Sequence, residues 1–277
     1  MYKLIDDVDE VKKFFDEVVP PLKNSELYFV SLSARNKYLT EEERRELALG
    51  RTEMFERRVV RERSFERFLR TLRKFETNDG SYLTKNGSNI PNKSIIVYFN
   101  INPTDVLKAH KEFNQTMNEY MYELAHCAAE GRKTDDIMKR IRKQDTLLMN
   151  CFQKNRGTKH YLDVDFDVPK DYFDAVVKPF VEELRENGVK VVVIDTRGGY
   201  HILLKRDTIK FNFNDVIYKA NEKFALEYMK RNDVKLGKNG HIDLQKETGY
   251  EIILNRNAMV AVPGTLQGGY PVKILEV

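Results

Sequence analysis

Apolar positions in the first half of the chain recur mostly with a helical period. In "VDEVKKFFDEVV" the residues Val8, Val11, Phe14, Phe15 and Val18 fall at helical spacing, which predicts an amphipathic helix, and "SELYFVSLS" after it reads as a strand. A second helix is expected from Thr40, where T-E-E-E offers a capping box closed by Glu43. From Arg51 to Lys74, "RTEMFERRVVRERSFERFLRTLRK" places Phe55, Val59, Phe65, Phe68, Leu69 and Leu72 roughly on one helical face. It therefore reads as one amphipathic helix, whose arginines form either a solvated, Glu-balanced surface or a phosphate-contacting ridge. Residues 76–94, full of Gly, Asn, Ser and Asp, predict a loop or hairpin excursion, and "IIVYFNINP" follows as a buried strand ending at Pro103. Helices are expected over 104–129 and 133–152, the second one basic.

The pattern changes in the second half, where strand and helix alternate. "HYLDVDF" predicts a strand, and "KDYFDAVVKPFVEELREN" a helix stopped at Gly188 with a kink at Pro179. "VKVVVIDTRGGYHILLKRD" predicts a hairpin turning on Gly198 and Gly199, and a helix is expected over 214–231. "GHIDLQKE" and "NAMVAVPGTLQGGYPVKILEV" both read as strand-like. No internal repeat or low-complexity tract occurs. The fold class expected is α+β with a mixed β-sheet: a mainly helical amino-terminal region over 1–155 and a catalytic part over 156–277, as two units or one composite domain.

Composition narrows this only slightly. The 277 residues carry 47 Lys plus Arg against 43 Asp plus Glu, a formal charge of +4, which permits nucleic-acid binding without arguing for it. Cys127 and Cys151 lie in no CxxC or Cys/His cluster, so reduced, buried thiols and no zinc are expected. The amino end lacks a signal-peptide apolar core and no apolar run approaches membrane-spanning length, so the expectation is a soluble, cytoplasmic protein without a membrane partner.

The candidate chemistry begins at "KHYLDVDFDV". Strand alternation puts Asp163, Asp165 and Asp167 on one face, and clustered carboxylates are unfavourable unless a cation sits among them. A divalent metal with oxygen ligands is one explanation; a strand face turned to water is the other. "DTRGGYHILL" adds glycines that let backbone approach a ligand, the planar guanidinium of Arg197, and His201 at the start of the returning strand. In "HIDLQ", Asp243 is either surface decoration or a third carboxylate of one site.

Taken in order, "LDVDFD", "VVIDTRGGYHILL", "HIDL" and "AVPGTLQGGYPVKI" resemble the signature segments of the archaeo-eukaryotic primase superfamily. Those are a strand ending in DxD, a hairpin of the form S-G-R-G-Y-H, an apolar residue plus Asp, and a strand with R-x-P-G-S-L-H. The resemblance covers roughly 160–277 and is closest at the hairpin, where Thr196 replaces the serine and Gly199, Tyr200 and His201 fall in register. It departs at Arg197, one place early, and at Gln267, where the family often has histidine. No arginine immediately precedes "VPGT", and the family's zinc-binding cysteine module is absent. A compact primase or primase-polymerase of viral or plasmid type fits better than a cellular subunit.

The resemblance implies that Asp163, Asp165 and Asp243 hold two divalent ions, Mg²⁺ or Mn²⁺. It implies that Thr196, Arg197, Gly199 and His201 bind the incoming nucleotide, with Lys246 or Arg256 as a further phosphate contact, and leaves Asp167 a secondary carboxylate. The expected activity is template-directed primer synthesis from NTPs or dNTPs on single-stranded DNA, with Arg35, Lys37 and the arginine-rich segment as template contacts. The alternatives are a metal-dependent nuclease, a DxD nucleotide-sugar transferase, and a non-catalytic single-stranded nucleic-acid-binding replication protein. The end on "KILEV" is compatible with a longer protein carrying a helicase or accessory primase domain.

Overall fold

A computed structural model of the chain describes residues 1–61, 63–233, 244–255 and 259–277. Asp7 caps the first helix, α1 (Val8–Val18), by accepting from the backbone N–H groups of Asp9 and Glu10. There follow β1 (Glu26–Arg35), α2 (Glu41–Leu47), whose Thr40/Glu43 capping box is formed, β2 (Thr52–Val60) and α3 (Phe65–Arg73). Next come β3 (Ile95–Asn100), the short β4 (Thr104–Asp105), and three helices, α4 (Val106–Ala129), α5 (Asp135–Arg142) and α6 (Gln144–Lys154). The remainder runs β5 (Tyr161–Asp167), α7 (Lys178–Glu186), β6 (Val191–Thr196), β7 (Gly199–Lys205), α8 (Phe213–Asn232), α9 (Leu244–Thr248) and β8 (Glu251–Asn255). It closes with β9 (Met259–Ala261), β10 (Leu266–Gln267), β11 (Tyr270–Pro271) and β12 (Lys273–Leu275).

The strands form two larger antiparallel sheets. The first runs β2-β1-β3-β9, so a strand from late in the chain completes a sheet built early. Its inner face, with Val30, Leu32, Ala34, Val97 and Phe99, packs under α1 and α3, and Phe99 meets Phe14 and Phe68 edge-on at 5.6 and 5.5 Å. The second runs β12-β6-β7-β5-β8. Without β12, its elements follow the order β-α-β-β-α-β, with the first strand between the third and fourth, the split βαβ arrangement. One face packs Val164, Phe166, Val193, Ile202 and Leu204 against α7 and α8. The opposite face is apolar at Val192, Ile194 and Leu203, which join the first core, and polar along β5. The α+β class is thus observed, but every strand pairing among the described residues is antiparallel, so the expected mixed sheet is replaced by antiparallel ones. Tyr161, Ile194, Leu203, Val260 and Val272 all belong to the first core, which therefore crosses the expected 155/156 boundary.

Several local expectations need correction. Arg51–Lys74 is not one helix: its first part is β2, paired with β1 through a bulge between Leu32 and Ser33, and α3 begins only after Ser64, whose hydroxyl accepts from Arg67 N–H. The arginines consequently form no single ridge. Arg57 faces a cleft, Arg58 lies over Phe75, and Arg63 donates to Val19 O. The helix expected over 133–152 is split at Lys143 into α5 and α6. Pro179 sits in the first turn of α7, and a π-turn over Phe173–Val177 precedes it, so the expected kink becomes a change of helix type. From "GHIDLQKE" onward, Leu244–Thr248 is helical rather than extended, and 240–243 lie outside the described residues. Cys127 and Cys151 are buried free thiols, and among the described residues no helix is long and apolar enough to cross a membrane.

Candidate functional site

The polar faces of the two sheets look at each other across a cleft of about 370 Å³. β1 contributes Ser31, Ser33 and Arg35, β3 contributes Tyr98, and Lys37 follows β1. From the other side β5 presents Asp165 and Asp167, and β8 presents Glu251 and Asn255. Register places them: Asp165 pairs with His201 on one neighbour and Ile253 on the other, while Asp167 lies directly opposite Glu251. Burial, with Asp165 and then Asp167 close by, raises the Glu251 carboxyl above the usual range. The wall is thus crowded with negative charge, and a cation in the cleft would relieve it.

Asp163 does not line the cleft. It is fully buried beneath it, accepting from His201 Nδ1 at 3.1 and 3.2 Å and from Asn255 Nδ2 at 2.8 Å. His201 keeps 12% of its side-chain surface. Burial works against its charge, but Asp163 and Asp165 outweigh that and push its pKa up to about 9. The ring is therefore an imidazolium at neutral pH whose Nδ1 is held by Asp163, while Nε2 carries no protein hydrogen bond among the described residues. Asp167, the carboxylate expected to be secondary, is in the cleft, with Lys37 Nζ 3.8 Å away.

The β6–β7 hairpin turns on Arg197 and Gly198, with Thr196 opposite Gly199. Gly199 has φ +151°, and a Cβ there would stand 1.9 Å from Phe166 O, so only glycine lets the turn press against β5. Thr196 lines the cleft, but its hydroxyl is committed to Gly199 O at 3.0 Å. Behind the turn, Lys170 Nζ donates to Asp195 and to Gly199 O, and Tyr270 donates to Asp195 at 2.7 Å.

Arg197 is a strut rather than a cleft ligand. Its guanidinium lies 4.3 Å over the Tyr38 ring and donates to Gly268 O at 2.7 Å and Lys93 O at 3.3 Å. Its backbone N–H donates to Gln267, which in turn donates to the Tyr38 hydroxyl. Arg197→Ala is expected to lower stability by about 1–2 kcal/mol, checked by thermal melting.

The remaining expected residues divide. Arg35 and Lys37, expected on a template-binding surface, are inside the cleft instead; Arg35 Nη1 donates to the Tyr98 hydroxyl at 2.8 Å. Lys246 lies on α9, exposed and not among the cleft-lining residues. Asp243 and Arg256 lie outside the described residues. Glu251 and Asn255 were missed; no motif marks them, and only the pairing of β8 with β5 brings them in. Arg57, from the arginine-rich segment expected to contact template, enters the cleft through the pairing of β2 with β1. Among the described residues no three carboxylate, histidine or thiol groups converge tightly enough to hold an ion by themselves. The paired oxygen donors Asp165 and Asp167 nonetheless suit Mg²⁺ or Mn²⁺, which complete their shells from substrate phosphates and water. No protein-family model matches the chain, and neither a curated protein nor a solved structure does.

Proposed function

We propose that the protein is a primase or primase-polymerase with a primase-type catalytic fold, extending or starting chains from NTPs or dNTPs on single-stranded DNA with two divalent ions. The observation that carries this is the meeting of three separated segments at one cleft: Asp165 from "LDVDFD", His201 from "DTRGGYH" and Gln267 from "VPGTLQ". The split βαβ order of the second sheet agrees with that reading as analogy only.

In this reading Asp165 and Asp167, with Asp243, hold the ions, and Asp163 acts one layer below as the counter-charge of His201. Bound there, divalent ions supply a lowered pKa for the attacking 3′-hydroxyl and charge neutralisation at the α-phosphate and leaving pyrophosphate. His201 then donates from Nε2 to a phosphate oxygen, a charge-assisted bond that its imidazolium form favours. Lys37 and Arg35 add positive charge across the cleft from the carboxylates.

Incubation with a single-stranded template, Mn²⁺ or Mg²⁺ and either NTPs or dNTPs, with and without primer, tests the proposal. Labelled product longer than the input is expected. Shortened template would assign a nuclease, and unchanged template with retained binding a non-catalytic single-strand-binding protein.

A further inference from the structure

The first sheet carries a cation, Arg57, that the reaction above leaves unused. Ser31 and Arg57 are cross-strand partners on β1 and β2, on the face turned to the cleft. Ser31 is fully buried, and among the described residues its Oγ has no hydrogen-bond partner. Arg57 Nε is buried and equally unpartnered, and among the described residues its guanidinium makes no ion pair. It lies 5.2 Å over the Phe29 ring, a contact that steadies a cation without neutralising it. Its neighbouring charge has the same sign: burial first, then Arg156, holds the Arg57 guanidinium below its ordinary range. Arg35, further along β1, also leaves Nε buried without a partner while Nη1 serves Tyr98.

Orphaned buried donors are rare because each forfeits its bonds to water with nothing in return. Here two guanidinium N–H groups and a hydroxyl are orphaned along one sheet face, and the carboxylates of the cleft belong to the other sheet. An acceptor-rich anion is the ligand that satisfies the paired Ser31 and Arg57 together, and a guanidinium fork beside a hydroxyl suits a tetrahedral phosphate.

We propose that Ser31 and Arg57, with Arg35 beside them, form a phosphate subsite on the first sheet, separate from the His201 hairpin. The inference rests on the orphaned donors and holds whatever reaction the cleft performs. Two sources supply such a group: the phosphodiester of a nucleic-acid strand and the phosphates of a free nucleotide.

The test uses the full chain and two probes at low salt, a fluorescein-labelled single-stranded oligodeoxynucleotide read by anisotropy and ATP read by calorimetry. Arg57→Gln is expected to weaken one probe at least about tenfold, and Ser31→Ala to weaken the same probe about threefold. Loss confined to the oligonucleotide assigns a backbone phosphate, with the salt slope reduced by about one; loss confined to ATP assigns the nucleotide. The melting temperature of Arg57→Gln should hold or rise, because an unpaired, desolvated cation has been removed. Unchanged affinity for both probes overturns the subsite. So does a lowered melting temperature, which would make Arg57 a structural residue.

Discussion

Asp165→Asn is expected to reduce template-directed extension by at least about 10³-fold, because it removes charge from the point where metal and phosphate charges are balanced. The same variant should melt within a few degrees of the parent. Arg35 and His201 attract this carboxylate and Glu251 repels it, so the terms offset. Loss of activity without loss of fold separates a functional carboxylate from a structural one. Primer extension at near-parental rate by Asp165→Asn would sink the proposed function.

Asp163→Ala should behave in the opposite way, as a stability variant first. Removing Asp163 breaks a buried ion pair and strips His201 of the carboxylate that holds its proton, at a cost of about 3–5 kcal/mol. For a chain of this length that corresponds to roughly a 10 °C fall in melting temperature. The pH dependence of the metal-free protein carries the same signature. The folded-state pKa of His201, about 9, lies above its ordinary value of 6.5. Its contribution to stability is therefore full below about pH 6.5 and is lost as pH rises through about 9. Denaturant melts across that window should show stability falling in the parent, and the fall should flatten in Asp163→Ala. A parent whose stability is level from pH 6 to 9.5 would contradict the buried pair.

Much of this arrangement was legible in residue order. The apolar spacing of α1, the alternation along β5 and the glycine hairpin all report local geometry, and local geometry is what periodicity encodes. β2 was misread because the bulge beside Leu32 inserts an extra residue and breaks its alternation, leaving an arginine-rich run whose apolar residues mimic helical spacing. The roles of Asp163 and Asp167 could not be ranked from spacing, since both lie on the same face of β5. How deep each sits depends on what the first sheet covers. The placement of Arg197 was illegible for a similar reason: a turn residue points where its tertiary partners hold it, and its guanidinium rests on Tyr38 and Gly268 O. Glu251 carries no local signal, and enters through its register with Asp167.

The strand β9 pairs with β3 some 160 residues earlier in the chain, and the backbone N–H groups of Asp6 and Asp7 donate to Gly264 O. Synthesis on a ribosome delivers β1, β2 and β3 long before β9 exists. Until then the first sheet has an open edge at β3, a row of unpaired backbone groups able to recruit another strand. Contacts this distant along the chain form slowly. The cleft wall built by the earliest strands is thus completed among the last steps of folding, and the nascent chain is most prone to mispairing just before residues 259–264 emerge.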